Sequence, residues 1–192
     1  MKTITLQLFT FDELDEKAQE AVLDKLRHVN VDDDYWYEAT YSEWKEQLAK
    51  RGFEDAEIRF SGFSSQGDGA SFTCKSVDAL KWAKALKIKL SRAMQKAFKE
   101  GELTANVSRN GFGSYVHDMT ICADIEGEAE GVDGNEYAPL ADAMTEDART
   151  LSRLLYRALE NDYEYRTSDD AVKECIEANE WTFEKNGTMR NA

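Results

Sequence analysis

The first place to look for chemistry in this chain is Gly62-Phe63-Ser64-Ser65-Gln66-Gly67-Asp68-Gly69-Ala70-Ser71-Phe72. Three glycines and one aspartate lie between two strand-like segments, Ile58–Phe60 and Phe72–Cys74. Glycine lets another backbone or a ligand come close, and successive backbone N–H groups in such a loop can cradle phosphate. The run is not a P-loop. It lacks the lysine and the following Ser/Thr, and it joins two strands where a P-loop opens a helix. The competing reading is a stiff hairpin loop whose Gln66 and Asp68 bond their own backbone. A second glycine-aromatic run, Asn110-Gly111-Phe112-Gly113-Ser114-Tyr115, also falls at a strand junction. If the two hairpins are neighbours, Gln66, Gly67, Asp68, Gly69, Asn110, Ser114 and Tyr115 converge. They would form a polar pocket with aromatic walls, suited to a base or a peptide side chain.

His117 and Asp118 are the nearest acid–base pair by position. Adjacent residues on a strand point to opposite faces, so the expectation is that they do not touch. No nucleophile elbow is present, because Gly62-Phe63-Ser64-Ser65 is not G-x-S-x-G. Asp124, Glu126, Glu128 and Glu130 alternate, followed by Asp133 and Glu136. Oxygen-rich clusters can bind Ca²⁺ or Mg²⁺, but the EF-hand ladder and its terminal glutamate are missing. The expected form is a solvated edge strand whose charges block aggregation. No metal and no cofactor is expected.

Carboxylates are also concentrated near the start of the chain. Asp15, Glu16, Glu20 and Asp24, then Asp32, Asp33, Asp34 and Glu38, follow helical segments. A helix rises about 1.5 Å per residue. Duplex DNA carries one charge per about 1.7 Å of axis. A dense acidic helix can therefore imitate nucleic acid in linear charge.

The net charge is −14 over 192 residues. Such acidity disfavours direct binding to nucleic acid, where Lys and Arg must neutralise phosphates. It favours solubility or a basic partner. The charge is uneven. From Lys75 to Lys99 eight bases meet one acid, and this basic segment lies between two acidic ones. Cys74, Cys122 and Cys175 are odd in number and have no zinc-type spacing, which points to reduced thiols. Residues 1–6 carry no long apolar segment of a signal peptide, and no run reaches the roughly 20 apolar residues of a membrane span. The expectation is one soluble cytoplasmic domain over residues 1–192.

The elements that must position these groups follow from periodicity. Residues 2–9 alternate and predict a half-buried strand. Asp15 is a predicted N-cap for a helix ending near Asn30. A second helix is expected from Asp32–Asp34, with Tyr37, Tyr41, Trp44 and Leu48 on one face and Gly52 at its end. Asp78 to Gly101 predicts the most secure helix, with Leu80, Ala83, Leu86, Leu90, Met94 and Ala97 inward. Residues 103–108 and 112–125 predict a hairpin, with Asn110-Gly111 at its turn. Leu140–Tyr165 predicts a helix burying Leu151, Leu154, Leu155, Ala158 and Leu159. Ser168 caps a last short helix, and Trp181–Gly187 predicts a small terminal hairpin. The sum is α+β: an antiparallel sheet of hairpins with long helices packed on one face.

The segment Phe11-Asp12-Glu13-Leu14-Asp15-Glu16-Lys17-Ala18, together with Phe60 through Phe72, resembles a family of small phage and prophage proteins, some labelled antitoxin-like. An aromatic is usual in that family where this chain has Ser64. The resemblance implies a phage accessory protein in a bacterial host cytoplasm and transfers no catalytic residue. Joined to the charge, it gives a first expectation. The protein would be a non-enzymatic inhibitor of a host defence component, occupying a basic protein surface of the kind that grips nucleic acid. Two alternatives stay open: a nucleotide-signal sponge or hydrolase using the glycine loops, and an antitoxin neutralising a partner toxin.

Overall fold

The computed structural model describes residues 5–110 and 115–190. Among them are six α-helices and one four-stranded antiparallel sheet, so the fold is α+β. The chain divides into two compact units, residues 39–160 and residues 1–38 with 161–192.

The larger unit holds the sheet, in the order β1 (Glu57–Phe60), β2 (Ala70–Val77), β3 (Leu103–Arg109), β4 (Ile121–Gly127). Strand alternation sorts its residues onto two faces. Ile58 pairs with Phe72, Cys74 with Val107, and Val107 with Ala123. These are buried. The other face pairs Glu57 with Thr73, Arg59 with Ser71, and Asn106 with Asp124. There Asn106 and Ser108 donate to Glu126 and Asp124.

The helices of this unit supply the cover for the apolar face. On α2 (Glu38–Lys50), Trp44 and Leu48 are buried. Phe53 follows, fully buried, with its ring 5.1 Å from Phe72 and 4.6 Å from Trp82 on α3 (Ala79–Ala85). The indole of Trp82 is inside, so its N–H needs a partner. It donates to Asp147 at 2.8 Å, which also pairs with Arg51 at 3.0 Å. On α5 (Gly134–Arg166), Met144, Ala148, Ser152, Leu155 and Leu159 are buried.

A sheet edge exposes unpaired backbone groups, and α5 covers that of β4. Thr145 Oγ1 accepts from the Ala123 amide at 2.9 Å, and Arg149 Nε donates to the Ile121 carbonyl at 3.1 Å. Asp124 and Glu126 lie on the polar face of β4, but its edge is covered by α5 and not solvated as expected, and Glu128 and Glu130 fall beyond the strand's end.

The smaller unit is built on α1 (Glu16–Leu26) and α6 (Asp169–Ala178). Phe11, Leu14, Ala18, Val22, Leu23, Val172, Ile176 and Phe183 form its core. Asp15 and Ser168 cap their helices as their residue types predict, accepting from the Ala18 and Ala171 amides. Phe183 bridges to Met189 in a terminal turn and also to Phe9.

Several expectations fail locally. Residues 5–8 form no strand and are exposed; only Phe9 pairs, and residues 1–4 lie outside the described residues. Helix α2 begins at Glu38, because Asp33 accepts from the Tyr35 amide and closes a turn there. The Asp78–Gly101 helix is two helices, α3 and α4 (Arg92–Glu100). Ser91 caps α4 by accepting from the Met94 amide, and Lys87 takes a left-handed φ of 58° that no helix continues through. Strand β4 starts at Ile121, because His117–Thr120 winds into a 3-10 turn; the expected turn at Gly111 and strand start at Phe112 lie outside the described residues.

Candidate functional site

The glycine-rich loop joins β1 to β2, and its geometry is set by Asp68. One carboxylate oxygen accepts from the Ser64 and Ser65 amides at 2.8 and 2.7 Å. The other accepts from the Ser61 hydroxyl at 3.4 Å, which in turn accepts from the Gly69 amide. Hydrogen bonds to a carboxylate favour its charged form. The Ser65 and Ser64 amides and the Ser61 hydroxyl hold Asp68 below its ordinary value of 3.8. The Ser64, Ser65 and Gly69 amides that a phosphate-cradling loop could offer are thus already used. Gln66 is exposed and takes no part in the Asp68 network.

The two glycine runs do meet. A Cβ on Gly67 would lie 3.0 Å from Tyr115 Cε2, and one on Gly69 would lie 2.8 Å from the His117 Cα. Glycine is required at Gly69 by this approach and not by its own φ. The Tyr115 and His117 rings stack 6.1 Å apart. Asn110 donates its amide to the Thr120 carbonyl at 2.7 Å and closes the base of the connection. Ser114 and Gly111 lie outside the described residues. Of the residues expected to converge, Gly67, Gly69 and Tyr115 do so in fact.

His117 and Asp118 touch, against expectation, with Nδ1 to Oδ1 at 2.8 Å. The turn removes the strand geometry that would have separated them. Asp118 is buried and also accepts from Arg153 Nη1 at 2.8 Å. Arg153 is further held by Glu146 at 3.2 Å and Thr150 at 2.9 Å. These groups wall a cleft of about 430 Å³ between the Gly69 loop, the 117–119 turn and α5. Helix α5 contributes Ser152, Arg153, Tyr156 and Arg157. Phe63 packs on Tyr156, centroids 5.5 Å apart. Burial, with the charges of Glu160 and Asp68, pushes the Tyr156 phenol above its ordinary value.

Ser152 is fully buried, lines this cleft, and has no hydrogen-bond partner among the described residues. It is therefore not within hydrogen-bond distance of His117, and no Ser–His–Asp relay is assembled. Sequence reasoning missed Ser152 because leucines dominate that stretch. Leu154, expected inside, is 48% exposed, and Ser152 takes the inward place four residues after Ala148. That spacing was the available signal.

The smaller unit carries the acidic row. Asp15, Glu16, Glu20, Asp24, Asp32, Asp33, Asp34 and Glu38 are all exposed. Three have local duties: Asp15 caps α1, Asp24 pairs with Arg27 at 3.1 Å, and Asp33 closes its turn. The same unit has a groove of about 540 Å³ with Phe11, Ile176 and Trp181 among its walls. Exposed Asp12, Glu177 and Glu180 also line it. Among the described residues, no group of three or more His, Cys, Asp or Glu is arranged to hold a metal ion.

A family match covers the larger unit. The chain belongs to the DUF8835 family, a domain of unknown function, matched over residues 36–169. No curated protein and no solved structure matches the chain. The DUF8835 region contains the glycine loop, the sheet and the cleft. It leaves out α1 and the acids from Asp15 to Asp34.

Proposed function

We propose that the protein is a non-enzymatic binder whose acidic unit occupies a basic surface on a partner protein. The observation that carries this reading is the confinement of eight exposed carboxylates, Asp15 through Glu38, to one unit. An excess of charge of one sign steers association with its complement and suppresses other partners. The groove beside Trp181 adds a socket. An aromatic wall among the carboxylates of Asp12, Glu177 and Glu180 suits a lysine or arginine side chain. The resemblance to phage proteins supports a bacterial host or defence protein as the partner, one whose basic face normally meets nucleic acid. Most of this unit lies outside the matched DUF8835 region, residues 36–169.

The test is capture from bacterial lysate with the wild-type protein and with a variant carrying Glu20→Lys, Asp32→Lys and Asp34→Lys. These three acids have no cap or turn duty, so the fold is retained. The expected result is a protein held at low salt, released as ionic strength rises, and not held by the variant. Added nucleic acid should compete for it. Capture that is equal for both proteins and indifferent to salt would overturn the reading. A captured toxin, released on the same terms, would make the protein an antitoxin.

A further inference from the structure

The basic segment Lys75–Lys99 spans the connection from α3 to α4. Helix α3 ends in two backbone bonds. The Lys87 amide donates to the Lys84 carbonyl at 3.1 Å, and the Ile88 amide to the Ala83 carbonyl at 2.9 Å. That pattern needs a left-handed residue just past the helix, and glycine is its usual occupant. This chain has Lys87 there, at a φ of 58°. Strain that glycine would relieve points to a use for the side chain. The same connection shapes a groove of about 430 Å³. Its floor is apolar, formed by Leu80, Ile88 and Leu90, all of them only half-buried. Lys84, Lys87 and Lys89 line it as well. These three lysines are exposed, and none forms an ion pair among the described residues. Lys81 and Lys96, outside the groove, are paired with Glu54 and Glu100. No carboxylate among the described residues lines the groove. An apolar floor bordered by unpaired cations is complementary to a segment that carries aliphatic and acidic side chains together. The described lining has no aromatic ring on which a nucleic-acid base could stack. The chain's −14 charges also repel a long polyanion. A concave site does not match the flat surface of a bilayer.

We propose that this groove is a docking site for a short acidic segment of a partner protein. Aliphatic side chains of the segment sit on Leu80, Ile88 and Leu90, and its carboxylates meet Lys84, Lys87 and Lys89. A glycine at Lys87 would relieve the backbone strain and leave the groove one cation short. The site lies in the larger unit and shares no residue with the acidic row, so it does not rest on the basic partner argued above.

The experiment is fluorescence anisotropy of the full chain with a labelled peptide of alternating glutamate and leucine. It is run at about 0.15 M salt, where charges farther apart than about 8 Å are screened. One control peptide has serine in place of leucine, and a second has glutamine in place of glutamate. Single-stranded DNA and phosphatidylglycerol vesicles are the remaining probes. The glutamate–leucine peptide should bind, and each control peptide should bind about tenfold more weakly or worse. Reversing two charges together, Lys84→Glu with Lys89→Glu, should weaken binding by about tenfold or more. Lys87→Gly should weaken it by about two- to fivefold while the protein melts at or above the wild-type temperature. Lys87→Arg, which keeps the charge, should bind as wild type does. No binding of the glutamate–leucine peptide would overturn the proposal. So would an affinity unchanged by the charge reversal, because the lysine stems would then only cover the apolar floor. Tighter binding of DNA or of the vesicles than of the peptide would overturn it by making the groove a site for polyanions or lipid. A Lys87→Gly protein that binds as wild type, or that melts below it, would overturn the role given to Lys87.

Discussion

Asp68 decides what the glycine-rich loop is. A carboxylate that accepts the Ser64 and Ser65 amides closes the turn and takes those two amides from any phosphate. Its depressed pKa carries a pH signature. Folding is favoured by the ionised form, so the contribution is complete above the unfolded value near 3.8 and is lost as pH falls through the lower folded value. Protection of the Ser64 and Ser65 amides from hydrogen exchange, measured against the intrinsic rate at each pH, should hold at neutral pH and fall in acid. Asp68→Ala should lower protection at neutral pH by about tenfold or more. A second residue-scale dependence is Asp147. It accepts from the fully buried Trp82 indole at 2.8 Å. Asp147→Ala leaves that donor inside without an acceptor and should cost about 1–3 kcal/mol in chemical denaturation. Asp147→Asn keeps an acceptor for Trp82, weakens the Arg51 contact, and should cost less.

At the scale of elements, the informative places are where helix or strand stops. Residues 79–100 have helical apolar spacing throughout, yet the backbone turns left-handed at Lys87 and starts again at the Ser91 cap. A non-glycine residue at a φ of 58° is strained, and glycine is not. Lys87→Gly should therefore hold or raise stability, by up to about 1 kcal/mol, where the same change inside a helix would cost about that much. Equilibrium unfolding of the two proteins decides it. The β4 edge gives a second element-scale test. Thr145 and Arg149 of α5 satisfy its backbone. Thr145→Val removes the acceptor for the Ala123 amide while keeping shape. It should cost about 1–3 kcal/mol by the same desolvation argument, and light scattering should show a greater tendency to self-associate through the opened edge.

Taken as a whole, the molecule carries −14 charges at neutral pH, and self-repulsion of that size opposes compaction. Salt screens it, with a Debye length falling from roughly 30 Å at 0.01 M to about 8 Å at 0.15 M. The melting temperature should rise over that range of sodium chloride, while capture of a basic partner weakens. Opposite responses of stability and association to one variable are the mark of a surface selected for charge. A melting temperature that falls with salt would show instead that attractive ion pairs such as Arg51–Asp147 outweigh the repulsion.

Composition and periodicity were enough for the α+β class, for the antiparallel pairing of the sheet, and for caps such as Asp15 and Ser168. Each of these depends on residues close in sequence or on a period of two or 3.6, which the chain carries locally. The acidic row was legible for the same reason, since charge is a property of residue type. The cleft was not. His117 was expected to turn away from Asp118 because the segment was read as strand; a 3-10 turn brings them to 2.8 Å. Ser152 stands in a leucine-rich helix, and only packing turned it inward, where its hydroxyl has no partner among the described residues. The meeting of Gly69 with His117 spans nearly fifty positions and is set by the order of strands in the sheet. The sequence by itself thus determined which groups are charged and which segments are helix or sheet. The tertiary structure decided which acids are already bonded to neighbouring donors, because those donors come from positions distant in sequence.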